Sequence, residues 1–256
     1  MADASAHGPL DPSSGGREAA LAARWRRLRD GVPSALYLLG WALVLLVALV
    51  TLGWLLSKVV HDDGIGRADS GLSRWLAGER TADLNQVTRW TTLLSETITI
   101  TVTVLAVLTV AITAWVWRRW REPMLVAVAV AGEVAIFLTI TLLVDRRRPP
   151  VSHLDQAPPT SSFPSGHTAA AICLYGALAV LAAQRARSAL VRGLTLTLAV
   201  LIPLAVAAAR VYRGMHYLTD VVGGILLGGA WLLATVHGIR LGAAHWQLRH
   251  RTASRK

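Results

Sequence analysis

The chain has 256 residues, of which 54% are hydrophobic and only 16% charged, with a mean hydropathy of +0.47 and a formal net charge of +11. That hydropathy is high for a water-soluble domain and ordinary for a polytopic membrane protein. The charge does not indicate nucleic acid: the arginines gather beside apolar runs and form no long basic tract, as membrane topology requires.

Six apolar runs follow one another, at about 36–56, 91–115, 124–144, 168–183, 194–209 and 221–239. Most approach the length that crosses about 30 Å of hydrocarbon as a helix. Open strands would leave backbone groups unpaired in lipid, so the predicted fold is an all-α bundle of six transmembrane helices. The predicted division is a basic N-terminal tail at 1–34, a six-span domain at 35–240 and a basic C-terminal tail at 241–256. The first run lacks a small-residue cleavage site and is read as an uncleaved anchor. Before it, Leu21, Trp25 and Leu28 recur at helical spacing, which fits a short interfacial helix or a disordered basic tail. Leu72, Trp75 and Leu76 predict another short helix on the membrane surface.

Arginines sort the connections. Arg17, Arg24, Arg26, Arg27 and Arg29 precede the first run, and Arg118, Arg119 and Arg121 follow the second. Arg185, Arg187 and Arg192 follow the fourth, and Arg249, Arg251, Arg255 and Lys256 close the chain. The positive-inside rule puts these segments and both termini in the cytoplasm. The opposite side nevertheless carries Arg146, Arg147 and Arg148, and Arg210 with Arg213, so those arginines need a reason other than topology.

Three segments on that outer side carry candidate chemistry: Asp145-Arg146-Arg147-Arg148-Pro149-Pro150, Phe163-Pro164-Ser165-Gly166-His167-Thr168, and the stretch from Arg210 through His216 to Asp220. Arginine presents a fork of donors that matches phosphate oxygens. Ser165 and Gly166 open a predicted helix, whose free N–H groups and dipole favour an anion, and His167 sits at the same mouth. His216 and Asp220 are spaced i, i+4; on a helix one face would hold both, the carboxylate orienting the ring. That is the base–orienter arrangement of nucleophilic catalysis, with imidazole itself able to attack phosphorus. Glu133, midway along the third run, is read as a helix–helix hydrogen-bonding residue, with a functional role as the alternative. Glu96 is a second intramembrane carboxylate. His153 and Asp155 fit either headgroup contact or loop exposure. Cys173 is the only cysteine; it permits no internal disulfide and is assigned to packing.

These motifs resemble those of the type 2 phosphatidic acid phosphatase (PAP2, or lipid phosphate phosphatase) family: Lys-x6-Arg-Pro, Pro-Ser-Gly-His and Ser-Arg-x5-His-x3-Asp. Arg148-Pro149 matches the end of the first, Pro164 to His167 the whole second, and Arg210, His216 and Asp220 the third. Thr141 replaces the first-motif lysine and Ala209 the serine before Arg210. The resemblance implies a metal-independent phosphatase with no cofactor, multi-pass in a bacterial plasma membrane, with its site on the outer face. It implies His216 as the nucleophile that forms a phosphohistidine, Asp220 as its orienter and His167 as general acid and then base. Arg148, Ser165, Gly166 and Arg210 would hold the phosphoryl oxygens. Arg147 stands where the family often has proline; it either partly compensates for Thr141 or is a solvated, headgroup-facing arginine, and Arg146 and Thr141 are the other possible accessory residues. The expected partners are the bilayer and a lipid phosphate substrate, and not nucleic acid. The first expectation is a polyprenyl pyrophosphate, with phosphatidic acid or phosphatidylglycerol phosphate as the alternative. A vanadate-dependent haloperoxidase-like oxidoreductase and a non-hydrolytic lipid-phosphate-binding protein rank behind these.

Overall fold

The computed structural model describes residues 12–60, 63–92 and 121–253, and all side chains within them except those of 12–33, 121–123 and 242–253. The described residues form seven helices joined by loops and contain no strand: α1 (Pro12–Lys58), α2 (Gly64–Gly78), α3 (82–92), α4 (Arg121–Leu143), α5 (Gly166–Arg185), α6 (Ala189–Tyr212) and α7 (Leu218–Ala253). Five segments are long and apolar enough to cross a membrane: Ser34–Lys58, Met124–Leu143, Gly166–Arg185, Ala189–Tyr212 and Leu218–Leu241. They correspond to five of the six expected runs. The run at 91–115, and Glu96 within it, lies outside the described residues apart from its first two, which are helical.

One expectation changes before the first span. No separate interfacial helix precedes the first span, because α1 runs unbroken from Pro12 to Lys58. Likewise α7 continues past the expected end of the last span to Ala253.

The faces of these helices explain their burial. Leu190, Leu194, Leu198 and Leu201 along α6 are all more than half exposed, a surface suited to hydrocarbon and not to water. The core forms where α5 meets α4, α6 and α7, and where α1 meets α4 and α7. Ala129, Ile140, Phe163, Cys173, Ala177 and Leu227 are fully buried there. Glycines on α7 set the approach of α5. A Cβ on Gly224 would collide with the Ser165 carbonyl, and one on Gly228 would come within 2.6 Å of the Ala169 carbonyl. The start of α5 is therefore held against α7, and this contact brings the second and third motifs together.

The expected surface helix is α2. Its Leu72 and Leu76 pack on Ala207, Val211 and Val221, while Trp75 is exposed. The same face buries Asp69 and Ser73, whose polar groups find partners there only through contacts with distant segments.

Candidate active site

The position of His216 follows from two helix ends. α6 closes on a Schellman turn: the Gly214 N–H donates to the Val211 carbonyl at 3.0 Å and the Met215 N–H to the Arg210 carbonyl at 3.1 Å. Gly214 takes φ +75°, a left-handed conformation that favours glycine. α7 begins with half of a capping box, in which the Asp220 carboxylate reaches back to accept the Tyr217 N–H at 2.9 Å. His216 is therefore in the loop between two caps and not on a helix face with Asp220, which corrects the reading of their spacing.

That placement changes what orients the ring. His216 Nδ1 lies 2.8 Å from the Ser162 carbonyl oxygen, to which it donates, and 3.8 Å from Asp220 Oδ2, too far for a hydrogen bond. Nε2 is thereby left as the ring's lone-pair nitrogen. Asp220, fully buried, accepts instead from the Ser162 hydroxyl and from Arg146 Nη1. Ser162 thus links ring and carboxylate, its carbonyl serving one and its hydroxyl the other. Burial pushes the His216 pKa down, the Asp220 charge opposes this, and Arg210 and Arg148 add to the lowering. The imidazole is held neutral around neutral pH.

Arg146 belongs to the supporting layer. It bonds Asp69 at 3.1 Å and the Thr219 hydroxyl at 2.8 Å, and it lies 4.5 Å over the Tyr217 ring. With Asp69 on one side and Asp220 on the other, its charge is compensated although it is only 6% exposed. Arg147, the candidate offset for the missing lysine, is exposed and is not among the residues lining the cavity described next. Thr141 is not among them either; its hydroxyl is bonded to the Leu138 carbonyl of its own helix at 2.9 Å.

Arg148, Gly166, His167, Arg210 and His216 all line one cavity of about 320 Å³. Arg148 is aimed by its bond to the Met215 carbonyl at 2.6 Å, and its buried Nε has no partner. The first-turn N–H groups of α5, from Gly166 onward, have no carbonyl in their own helix to bond. Ser165 is not in this lining: it is fully buried, with its hydroxyl 2.9 Å from that of Thr168 and its N–H on the Asp220 carbonyl. Arg210, at the end of α6, pairs with Asp155 at 3.1 Å, and Arg213 grips the same carboxylate through two bonds at 2.7 and 2.5 Å. Burial alone would raise the Asp155 pKa, but the Arg213 hydrogen bond and both guanidinium charges hold it below the usual range. Asp155 is thus a clamp for the two arginines and not a free loop residue. A larger cavity of about 500 Å³ lies beyond this pair, lined by α3 and 154–156, and neither His167 nor His216 faces it.

Sequence reasoning missed Ser162 and Asp69. Neither sits in a motif, and each works through partners far away in the chain: Ser162 is 54 residues from His216, and Asp69 is 77 from Arg146. Glu133 is also in the cavity lining. Both of its carboxyl oxygens are buried without a hydrogen-bond partner, so it is not the helix–helix bonding residue expected. Among the described residues no group of three or more His, Cys, Asp or Glu is placed to hold a metal ion.

A multi-span helical membrane protein with arginines, a helix start and two histidines around one cavity is built to handle an anion at the membrane. The chain belongs to the PAP2 superfamily, which it matches over residues 96–241. It is therefore a phosphatase, a hydrolase of phosphoester bonds. It is similar to phosphatidylglycerophosphatase B of Bacillus subtilis (strain 168), at 26% identity over 175 residues that cover 68% of this chain and 84% of that one. Its fold is similar to the crystal structure of a transmembrane PAP2-type phosphatidylglycerolphosphate phosphatase from Bacillus subtilis. The TM-score is 0.64 at 24% identity, over 75% of this chain and 94% of that chain.

Proposed function

We propose that the protein is a lipid phosphate phosphatase that cleaves a glycerolipid phosphomonoester, phosphatidylglycerol phosphate or phosphatidic acid, through a phosphohistidine. The observation that carries this reading is the shared cavity of Arg148, Gly166, His167, Arg210 and His216, with His216 Nδ1 committed to the Ser162 carbonyl. The similarity to phosphatidylglycerophosphatase B supports the glycerolipid ahead of the polyprenyl pyrophosphate expected from the motifs alone.

In the first step His216 Nε2 attacks phosphorus. The N–P bond forms as the ester P–O bond breaks, and His167 gives its proton to the leaving alcohol. Arg148, Arg210 and the Gly166 N–H hold the equatorial oxygens, whose charge redistributes in the transition state. The cation formed on His216 is stabilised by the Asp220 carboxylate 3.8 Å away. In the second step water attacks phosphorus, His167 takes its proton, the N–P bond breaks and inorganic phosphate leaves.

Purified protein should release phosphate from phosphatidylglycerol phosphate or phosphatidic acid faster than from undecaprenyl pyrophosphate. The opposite ranking would return the polyprenyl reading to first place. The charge asymmetry of the connections supports an active site outside the bacterial plasma membrane with both termini inside. In a Cys173→Ser background, a cysteine at the exposed Ala157 should react with a membrane-impermeant thiol reagent in intact cells, and one at the exposed Ser188 should not. Labelling at Ser188 alone would move the site to the cytoplasm.

A further inference from the structure

Glu133 stands in the cavity at a depth the phosphoryl chemistry does not reach. It is 1% exposed, both carboxyl oxygens lack a partner, and it shares the lining with His167, Ala170 and Phe137. Phe137 marks the level of the phosphoryl cradle, since a Cβ on Gly166 would come within 2.7 Å of its ring. Glu133 is four residues before Phe137 on α4, so it lies about 6 Å farther from that end of the helix, toward the membrane interior. Leu138 lines the same cavity and is 50% exposed on the face of α4 that would meet lipid. A lipid whose phosphate occupies the cradle can therefore pass Glu133 on the way to its hydrocarbon.

We propose that the Glu133 carboxyl is a subsite for an oxygen on the glycerol unit that carries the phosphate. This assignment rests on the glycerolipid phosphatase reading. In such a substrate the carbon next to the phosphoester carbon bears an oxygen four bonds from phosphorus, which reaches roughly 5 Å. It is a hydroxyl in phosphatidylglycerol phosphate and an acyl ester in phosphatidic acid. The carboxyl accepts from a hydroxyl and, when protonated, donates to either oxygen. A prenyl monophosphate has only carbon at this distance and leaves the buried carboxyl unsatisfied, which disfavours it. The inner phosphate of a prenyl pyrophosphate would meet a group with no positive charge to offer.

The test compares kcat/KM of the full-length purified parent, Glu133→Gln and Glu133→Leu on three substrates in the same mixed micelles. These are phosphatidylglycerol phosphate, phosphatidic acid and farnesyl monophosphate. The preference of the parent for a glycerolipid over farnesyl monophosphate should fall about 10-fold or more in Glu133→Leu, and Glu133→Gln should keep most of it, since an amide also donates and accepts. A fall for one glycerolipid only identifies the hydroxyl or the ester as the partner; a fall for both identifies the shared glycerol oxygen. Equal losses on all three substrates would make Glu133 structural, and an unchanged preference would remove it from recognition; either overturns the subsite while leaving the phosphatase reading intact. A parent that hydrolyses farnesyl monophosphate but neither glycerolipid would overturn both.

Discussion

His216→Ala should lower phosphate release about 1,000-fold or more, because in the proposed mechanism the reaction loses its nucleophile and not merely a binding contact. The protein should remain folded. The substitution leaves the Ser162 carbonyl without one donor, a loss of about 1 kcal/mol. The Schellman turn and the Asp220–Tyr217 cap on either side involve other atoms. Size-exclusion chromatography and thermal melting in detergent would verify folding, and rapid acid-free quenching of the parent with labelled substrate should trap phosphate on His216. Full activity in His216→Ala would overturn the nucleophile assignment. The ring also has a pH signature. Its pKa is lowered by burial, so it stays neutral, and able to attack, below the ordinary histidine value near 6.5. Asp220 opposes that lowering, so Asp220→Asn should slow the enzyme and also move the acid limb of kcat/KM to lower pH.

His167→Ala should cost about 100- to 10,000-fold on a lipid phosphate, the range for losing a positioned general acid and base. The two roles separate with the leaving group. An alkoxide needs the proton, whereas p-nitrophenolate is stable enough to depart without it. With p-nitrophenyl phosphate the variant should therefore release a burst of about one nitrophenolate per enzyme and then stall as phosphoprotein, because water is no longer activated. With a lipid phosphate no burst should appear. Neither burst nor phosphoprotein with the activated ester would remove His167 from the second step.

These residues were readable in the sequence because they belong to short motifs. Five of the apolar runs were readable because hydrocarbon demands about twenty apolar residues per crossing. Pro164 to His167 announced a helix start by local chemistry, and α5 does begin at Gly166. The same local reasoning misplaced His216, since i, i+4 spacing does not reveal that a helix ends at Tyr212 and another begins at Leu218. The two readings of Arg147 could not be separated for a similar reason: three consecutive arginines look alike in sequence. The chain beyond α4 buries Arg146, aims Arg148 at the cavity and leaves Arg147 outside.

The sequence by itself determined the class of protein, five of the apolar spans and the residue types around the candidate site, all consequences of solvent and of bonds within a few residues. The tertiary structure decided what holds those residues. Ser162 reaches both His216 and Asp220, Asp69 reaches Arg146 from a surface helix, and Asp155 clamps Arg210 and Arg213. It also decided that Glu133 faces a cavity and not a neighbouring helix. Each of these depends on which helix faces meet, and for α5 against α7 that is set by close approaches such as Gly224 on Ser165. A buried charge or hydrogen bond gains its strength from partners that exclude water, and those partners are adjacent only after the helices have assembled.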